Sequence, residues 1–525
     1  MNEVPDCFFS RAYRGKNFVC YNLKYDSGAL LQTLPSENLR ELRETDRTVW
    51  KGFRYKVIGY KCMVISKGRN AVTFYDMLGF YEMSLEAAAE KYLGEHKLFI
   101  NTKRFDRAYI ADNISAIKEY CIQDAVLVKR LAEVLIKMFE QFGVYPKKLY
   151  SVAYISYQYF RSHTPYVTVK RYWEKYPEVL DFALQAYNGG KFEVTTKGSG
   201  YYYQYDIVSA YPWEIRNLAD ITYARIEHGR RYRREALYGF LKCTVNIPYS
   251  LYSPVVVKRG SLNCFPCGAF TRIITKEEYE YLVAHGADCI IKDAYWFMVT
   301  ERDYPYRAEI DRLVILKQQY KLQRKDLEYH TVKILLNSLY GKFLQLIDRK
   351  GLLQAGASWN PIYGAIITAN CRIRMSEMQN RFKEVIAVHT DSLISTAALP
   401  IVGTGKIGEY GFECEGDGLV LGSGIYQIGH KVRFRGFDAH IRLIDLVRRG
   451  GEKITIKQER PLTWRTVAVR HLNTDRINRF EEVPRELDVR FDRKRLWIDD
   501  WKDFSECMER NVSSFPLFFS PLFFR

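Results

Sequence analysis

The sequence predicts a multidomain α/β protein, and three observations carry that expectation. At 525 residues the chain is too long for one hydrophobic core and calls for about two to four domains or subdomains. Hydrophobic residues at 47% and charged residues at 27% are the balance of a soluble globular chain, not of a disordered one. Strand-like and helical segments alternate over the N-terminal stretch, the pattern of an α/β domain.

The charge balance narrows the partners. Lys and Arg outnumber Asp and Glu by 79 to 61, a net charge of +18, and the pI is near 9.2. An excess of that size points to a polyanion, nucleic acid being the commonest, although ribosomal, membrane-surface and heparin-binding proteins share it. The 40 tyrosines and 30 phenylalanines offer faces on which bases could stack as well as material for cores. Eleven cysteines include one Cys-x-x-Cys, Cys264 and Cys267. No second pair lies nearby to complete four zinc ligands, so reduced thiols in a cytosol-like compartment are expected. No signal peptide opens the chain, and no apolar run approaches the ~18–20 residues of a membrane span. The apolar tail SSFPLFFSPLFFR reads equally as a docking peg, a partner-binding tail or a loose terminus.

In order, FVCYN from Phe18 reads as a buried strand and Ser27–Leu34 as a helix. Helices follow at 84–93 and at 115–142, where apolar positions recur at helical spacing. Tyr187-Asn-Gly189-Gly190 is a turn signal between two structured regions. YYYQYDIVSAYP reads as a strand ending at a turn over Ser209–Pro212, GFLKCTVNIP as a strand, and Lys276–His285 as a helix. One long helix is expected over Tyr306–Tyr340. Val385–Val388 and Leu393–Thr396 read as strands of a hairpin whose turn holds HTD. The last hundred or so residues mix short strands with the basic segments VRFRGF, LVRRGG and RFDRKR.

Three segments carry chemistry. Nucleotidyl transfer needs two divalent cations roughly 4 Å apart, one to activate a hydroxyl and one to neutralise leaving phosphates. Hard cations take oxygen ligands, so carboxylates must converge from separate strands. Asp206 at a strand end and Asp391 in a hairpin turn suit that need, although either alone reads as a turn or cap residue. In Lys333-Ile-Leu-Leu-Asn337-Ser338-Leu-Tyr340-Gly341 helical spacing puts Lys333, Asn337 and Tyr340 on one face. A lysine there can meet a triphosphate, and a tyrosine can floor a base pair. The bland alternative, an amphipathic helix with a Gly cap, explains Gly341 alone.

DIVSAYP at 206–212, KILLNSLYG at 333–341 and HTDS at 389–392 resemble, in the same order, the motifs D-x-x-S-x-Y-P, K-x-x-x-N-S-x-Y-G and D-T-D-S of the family B DNA polymerases. YNGG at 187–190 resembles the Y-x-G-G linker of the protein-primed subgroup found in phages, viruses and linear plasmids. The resemblance implies a right-hand polymerase with palm, fingers and thumb behind an N-terminal ribonuclease H-like 3′–5′ exonuclease-type domain that lacks its first motif. It implies metal ligation by Asp206, Asp391 and the Ile207 carbonyl, with two Mg2+ or Mn2+ ions. Nucleotide contacts would come from Tyr211, which would exclude a ribose 2′-hydroxyl, and from Lys333, Asn337, Tyr340, Lys321 and Lys317. DNA contacts would come from Tyr187, Gly189, Gly190, Thr390, Ser392 and Tyr426. Expected partners are template–primer DNA, deoxynucleoside triphosphates and a terminal protein that primes. A monomer in the cytoplasm, that of a host cell for a virus, with no membrane, completes the expectation.

The same resemblance divides the chain into a reduced exonuclease-like domain (1–165), a linker with the first palm part (166–235), an insertion similar to the first terminal-protein region (236–305), fingers (306–345), a second palm part (346–425) and a thumb with its tail (426–525). Asn22 and Asp26 in CYNLKYD look like the second exonuclease motif and Tyr120 and Asp124 in YCIQD like the third, with Lys97 a supporting lysine. The first motif, Asp-x-Glu, is absent from the 21 residues before Asn22. Proofreading is therefore not expected, and the incomplete sheet that results points to a start downstream of the true one. Residues 344–359, 16 in all, stand where phage members carry a longer insertion associated with strand displacement and processivity.

Two departures fall at the catalytic motifs. His389 replaces the first Asp of D-T-D-S, lowering the local negative charge by one. Gly424 replaces the lysine of the K-x-Y motif near the primer, while Tyr426 is kept. His389 leaves two readings open: a tolerated variant, including one that prefers manganese, and a catalytically degenerate nucleic-acid-binding descendant. A nuclease acting through Asp26 and Asp124 and an RNA-synthesising polymerase are the further rivals, the latter disfavoured by Tyr211.

Overall fold

Strand Thr196–Ile207 is the spine of the central sheet. Its side chains alternate at the strand period of two. Tyr203, Tyr205 and Ile207 pack towards Cys371, Met375 and Met378 of helix Pro361–Arg381, whereas Gln204 and Asp206 face an open cleft. The sheet runs in the order Lys431–Phe434, Ile425–Ile428, Tyr410–Gly422, Thr196–Ile207, Ser392–Ser395, Val385–His389, Phe192–Val194, and all of these neighbours are antiparallel. This computed structural model describes residues 4–100, 107–165, 167–349, 352–437 and 441–520.

The N-terminal sheet has the order Asn17–Cys20, Asn70–Asp76, Cys62–Lys67, Phe53–Ile58, Arg47–Trp50; only the first pair is parallel. The helix after Asn17–Cys20 spans Leu23–Leu31, beginning earlier than the expected Ser27. Asn22 takes a left-handed φ of 66° and its N–H donates to the Asp76 carboxylate, so the chain turns into helix at once. Helices Leu85–Leu93 and Ile114–Gln141 lie where helical spacing predicts them.

The helix expected over Tyr306–Tyr340 is two antiparallel helices, Arg307–Leu322 and Asp326–Asn337, and a short third, Tyr340–Phe343. Arg324, with φ 55°, makes the reversal, and Lys325 N–H donates to Tyr320 O. The polar run QRKD offers no apolar stripe to hold a continuous helix in place. The turn expected at Ser209–Pro212 is instead a helix start. Ser209 has φ 51° and Ala210–Arg216 is helical, with Pro212 in the first turn, where an N–H has no intrahelical partner. Residues 344–359 hold a small hairpin, Leu346–Arg349 with Leu352–Ala355.

A second sheet comprises Cys267–Thr275, Tyr238–Ile247, Asp288–Met298 and Arg225–His228, with helix Lys276–Ala284 against it. Its outer strand is the tail. Phe518 and Phe519 pair in parallel with Cys267 and Gly268. Gly268 permits this because a Cβ there would lie 2.2 Å from Phe519 O and its φ is +88°. Of the three readings of the tail, docking within its own chain holds for the residues described. The C-terminal ribbon Lys453–Pro461/Phe480–Asp488 carries helix Trp464–Val469, whose Trp464 and Val467 enter the core of the N-terminal domain. Arg465 pairs with Asp46 at 3.1 Å, and Asn478 donates to Tyr25 O at 2.8 Å. No helix among the described residues is long and apolar enough to cross a membrane.

Arg372, fully buried on helix Pro361–Arg381, joins three of these parts. It pairs with Glu278 at 2.7 Å and donates to the carbonyls of Asn188, Gly189 and Pro254. Arg372→Ala leaves Glu278 as a buried, unpaired charge and should lower the unfolding free energy by about 3–5 kcal/mol, whereas the apolar double replacement Arg372→Met/Glu278→Leu should lower it by less. Denaturant unfolding of both variants checks the order.

Candidate active site

Asp206 is the penultimate residue of its strand, and Asp391 lies in the turn between Val385–His389 and Ser392–Ser395. Register brings them together: Asp206 sits opposite Ser392, and Ile207 N–H donates to Asp391 O at 2.8 Å. The turn is tight, with Thr390 at φ 66°. Thr390 N–H donates to Lys191 O, and Gly190 lies so close that a Cβ would stand 2.7 Å from Thr390 Cγ2 and 3.1 Å from Thr390 Cα. Close approach to the Asp391 turn thus accounts for the second glycine of YNGG.

Both carboxyls are raised above the ordinary carboxylate range, burial first. Burial, then Asp391 and Glu413, push the Asp206 carboxyl up to about 7, and burial with Glu413 raises Asp391. Asp206 Oδ1 is buried without a hydrogen-bond partner. Glu413 escaped the sequence reading because it belongs to none of the motif strings. It enters the cleft at a break in register between Phe412 and Cys414, and it forms an ion pair with Lys431. The cleft, about 470 Å³, is lined by these acids and by Gln204, Ser392 and Tyr426, with Lys431, Arg433 and Arg435 opposite. Among the described residues no three His, Cys, Asp or Glu side chains form a preformed metal cluster. An orphaned carboxylate oxygen and two acids that repel each other nevertheless fit hard divalent cations.

The residues expected to meet a nucleotide fall into two groups. Tyr211 stacks on Tyr340 with centroids 4.6 Å apart and planes 2° from parallel, and the Tyr340 hydroxyl bonds that of Tyr187 at 3.0 Å. Lys317 donates to Ser209 Oγ at 3.2 Å, and burial together with Lys333 and Lys321 lowers its pKa. Lys333 and Asn337 are exposed on helix Asp326–Asn337. At the far side Gln204 donates to Ser392 Oγ and to the Tyr426 hydroxyl, at 2.8 and 3.2 Å.

His389 is buried between the rings of Tyr426, stacked at 5.0 Å, and Phe192, tilted at 4.6 Å. Gly424 N–H donates to His389 Nε2 at 3.4 Å. Burial first, then Lys494 and Lys431, hold the imidazole down to about 3, so the ring is neutral.

Residues 100–353 match the family of type B, organellar and viral DNA polymerases. The resemblance to the type B polymerases is borne out. A DNA polymerase of Acidianus bottle-shaped virus (isolate Italy/Pozzuoli) is 25% identical over 430 residues, 73% of this chain and 62% of that protein. A probable DNA polymerase of Ascobolus immersus is 27% identical over 243 residues, 43% of this chain and 19% of that protein. The chain therefore spans less than two thirds of the length of either relative. Phi29 DNA polymerase complexed with single-stranded DNA superposes with a TM-score of 0.63 at 15% identity, covering 90% of this chain and 91% of that one. Its ternary complex with primer–template DNA and incoming nucleotide substrates gives 0.61 over the same shares. This likeness shows the fold, a right-hand polymerase with an exonuclease-type domain.

Within that N-terminal domain the candidate residues form two sets. Asn22 and Asp26 lie by Asp76, a carboxylate the sequence reading missed; burial first, with Asp76 adding, pushes Asp26 up to about 6. Lys97 pairs with Asp124 at 2.9 Å and donates to the Tyr120 hydroxyl at 2.9 Å.

The Tyr187–Tyr340 bond ties the YNGG turn to the short helix Tyr340–Phe343. A cycle of Tyr187→Phe, Tyr340→Phe and the double variant should give a coupling of about 0.5–1.5 kcal/mol in unfolding free energy. Strict additivity would mean that the hydroxyls do not pair.

Proposed function

We propose that this protein is a DNA-directed DNA polymerase that extends a primer 3′-hydroxyl with deoxynucleoside triphosphates. The observation that carries the reading is the meeting of Asp206, at the end of its strand, with Asp391, in the turn that leads into the neighbouring antiparallel strand, both lining one cleft. Motif residues stand beside it, Tyr340 of the short helix against Tyr211 and Lys333 of the helix pair near Lys317. Phi29 DNA polymerase is solved in complex with single-stranded DNA and with primer–template DNA and incoming nucleotide substrates, and the same ligand classes are proposed here.

In this reading Asp206, Asp391 and the Ile207 carbonyl hold two divalent cations, Mg2+ or Mn2+. When bound, such ions lower the pKa of the attacking hydroxyl and neutralise the leaving phosphates. The protein's own contribution is positioning and fixed charge. Lys333, with Lys321 and Lys317, receives the triphosphate as point charges. Tyr211, held flat by Tyr340, forms the floor beneath the sugar and selects against a 2′-hydroxyl. Asn337 supports that side, while Tyr187, Gly189, Gly190, Thr390, Ser392 and Tyr426 follow template and primer. The domain assignment is the one given above: 1–165 exonuclease-like, 166–235 and 346–425 palm, 236–305 terminal-protein region, 306–345 fingers, 426–525 thumb. Priming by the hydroxyl of a terminal protein, action as a monomer, and replication of a viral or mobile-element genome in the cytoplasm belong to the same proposal. Proofreading does not, since Asn22, Asp26, Tyr120 and Asp124 supply only the second and third exonuclease motifs.

Extension of a labelled primer with Mg2+ or Mn2+ should proceed with the wild type and fall to background in Asp391→Asn. Salt-sensitive DNA binding with no extension in either metal would instead favour the degenerate binding protein. Lys333→Ala should raise KM for deoxynucleotides about tenfold or more, the worth of one charge-assisted phosphate contact, and leave primer binding unchanged. Steady-state kinetics against nucleotide and against primer separate the two effects.

A further inference from the structure

The two departures from the motifs, His389 and Gly424, touch each other. Gly424 N–H donates to His389 Nε2, and the space beside Gly424 is closed. Its φ is +76°, and a Cβ would come within 3.1 and 3.2 Å of the Phe192 ring. A lysine at this position would strain the left-handed backbone and push the Phe192 ring aside by a few tenths of an ångström. A cation at this end of the cleft must therefore come from another element.

The neighbouring strand supplies one. In the hairpin Ile425–Ile428/Lys431–Phe434, Tyr426 pairs with Arg433 and Ile428 with Lys431. Residues 431 and 433 share a strand face by the period of two, and both line the cleft with Asp206 and Asp391. Two of the other cations there are engaged: Lys494 Nζ donates to Phe192 O at 2.6 Å, and Arg435 lies 5.7 Å from the centre of the Phe192 ring; Arg433 stands beside Tyr426 on the paired strand. Lys431 is different, since its partner is a side-chain carboxylate, Glu413, and both members of the pair are in contact with solvent. A half-buried ion pair that solvent reaches from the cleft is partly screened, so a phosphate oxygen can replace the Glu413 carboxylate on the ammonium.

We infer that Lys431 is the cation that binds the terminal phosphodiesters of the primer strand, taking from the adjacent strand the place that Gly424 leaves empty. The inference rests on the polymerase reading and deepens it: one lysine, one primer phosphate, and Glu413 as the resting partner exchanged on binding. It assigns Lys431 to binding the primer and not to the reacting atoms.

The test is a cycle between protein and DNA. Equilibrium binding is measured by fluorescence anisotropy with primer–template duplexes carrying a neutral methylphosphonate at each of the last three primer linkages in turn. For the wild type, one of these linkages should weaken binding about tenfold, as loss of a charge-assisted contact does. Lys431→Met, which keeps the aliphatic stem, should weaken binding to the natural duplex by a similar factor and lose sensitivity to that linkage. Lys431→Arg should retain it. Circular dichroism melting confirms that both variants fold. If Lys431→Met remains as sensitive as the wild type at every linkage, or if Lys431→Arg behaves like Lys431→Met, the inference is overturned. Because binding is read without turnover, a failed cycle beside intact primer extension removes this inference alone. A wild type that binds no primer–template removes the polymerase reading as well.

Discussion

Two carboxylates that repel each other are fixed side by side, and the central sheet is arranged around that constraint. Asp206 and Asp391 come from segments far apart in the chain, yet the antiparallel register puts Ser392 opposite Asp206 and lets Ile207 N–H bind Asp391 O. A one-residue slip of either strand would turn one carboxylate to the opposite face of the sheet. Register is held by burial on that opposite face, where Tyr205, Ile207, Val388 and Leu393 share a core with helix Pro361–Arg381. Burial raises both carboxyls, with Asp391 and Glu413 adding at Asp206 and Glu413 adding at Asp391. Such oxygen donors are the arrangement that hard cations prefer.

A second set of charges is used for alignment. Lys191, directly after the YNGG turn, is fully buried; it donates to Ser253 O and Ser376 Oγ and lies beside Glu193, which pairs with Arg495. With Arg372 and Glu278, these groups join the central sheet, the helix behind it, the second sheet and the C-terminal segment. Apolar packing alone would tolerate small slides between such layers. Buried polar groups tolerate few, because each displaced partner leaves an unpaired donor or acceptor in a low-dielectric interior. The aromatic triad Tyr187, Tyr211 and Tyr340 repeats the device where the YNGG turn, helix Ala210–Arg216 and the short helix Tyr340–Phe343 meet in one stack and one hydroxyl bond.

Much of this was legible in the sequence because it depends on local strings. Asp206, Asp391, Tyr211 and Tyr340 sit in motifs whose order and spacing identify them, and strand alternation placed the HTD hairpin correctly. What stayed hidden depends on register or on distant contacts. Glu413 is one of three acids in its strand, with Glu415 and Asp417, and it alone of them reaches the cleft, at a break in pairing that no residue pattern announces. Asp76 turns the chain at Asn22 from the end of the neighbouring parallel strand, far away in sequence. The break at Arg324 was missed because lysine, glutamine and arginine are good helix formers, and only the missing apolar stripe argues against continuity. The docking of Trp464 in the N-terminal core and of Phe518–Phe519 on the second sheet joins segments separated by most of the chain or by half of it, and composition says nothing of such contacts.

The sequence alone makes His389 look like a weakened catalytic motif, because an acid has been lost. The structure changes that accounting. His389 lies against Gly424, where the resemblance leads one to expect a lysine, so one negative and one positive charge are missing from the same spot and their losses cancel. The replacement is also consistent in shape. The imidazole is neutral, stacks on Tyr426 and accepts the Gly424 N–H, and the missing Cβ at 424 leaves room for Phe192 on its other side. A buried ion pair can give way to well-packed neutral groups with little loss of stability, whereas removing one partner is costly. Two departures that meet at one contact are therefore better explained as a single exchange than as two steps of decay. Three acidic residues, Asp206, Asp391 and Glu413, still face the cleft, and carboxylate oxygens are the donors hard cations prefer.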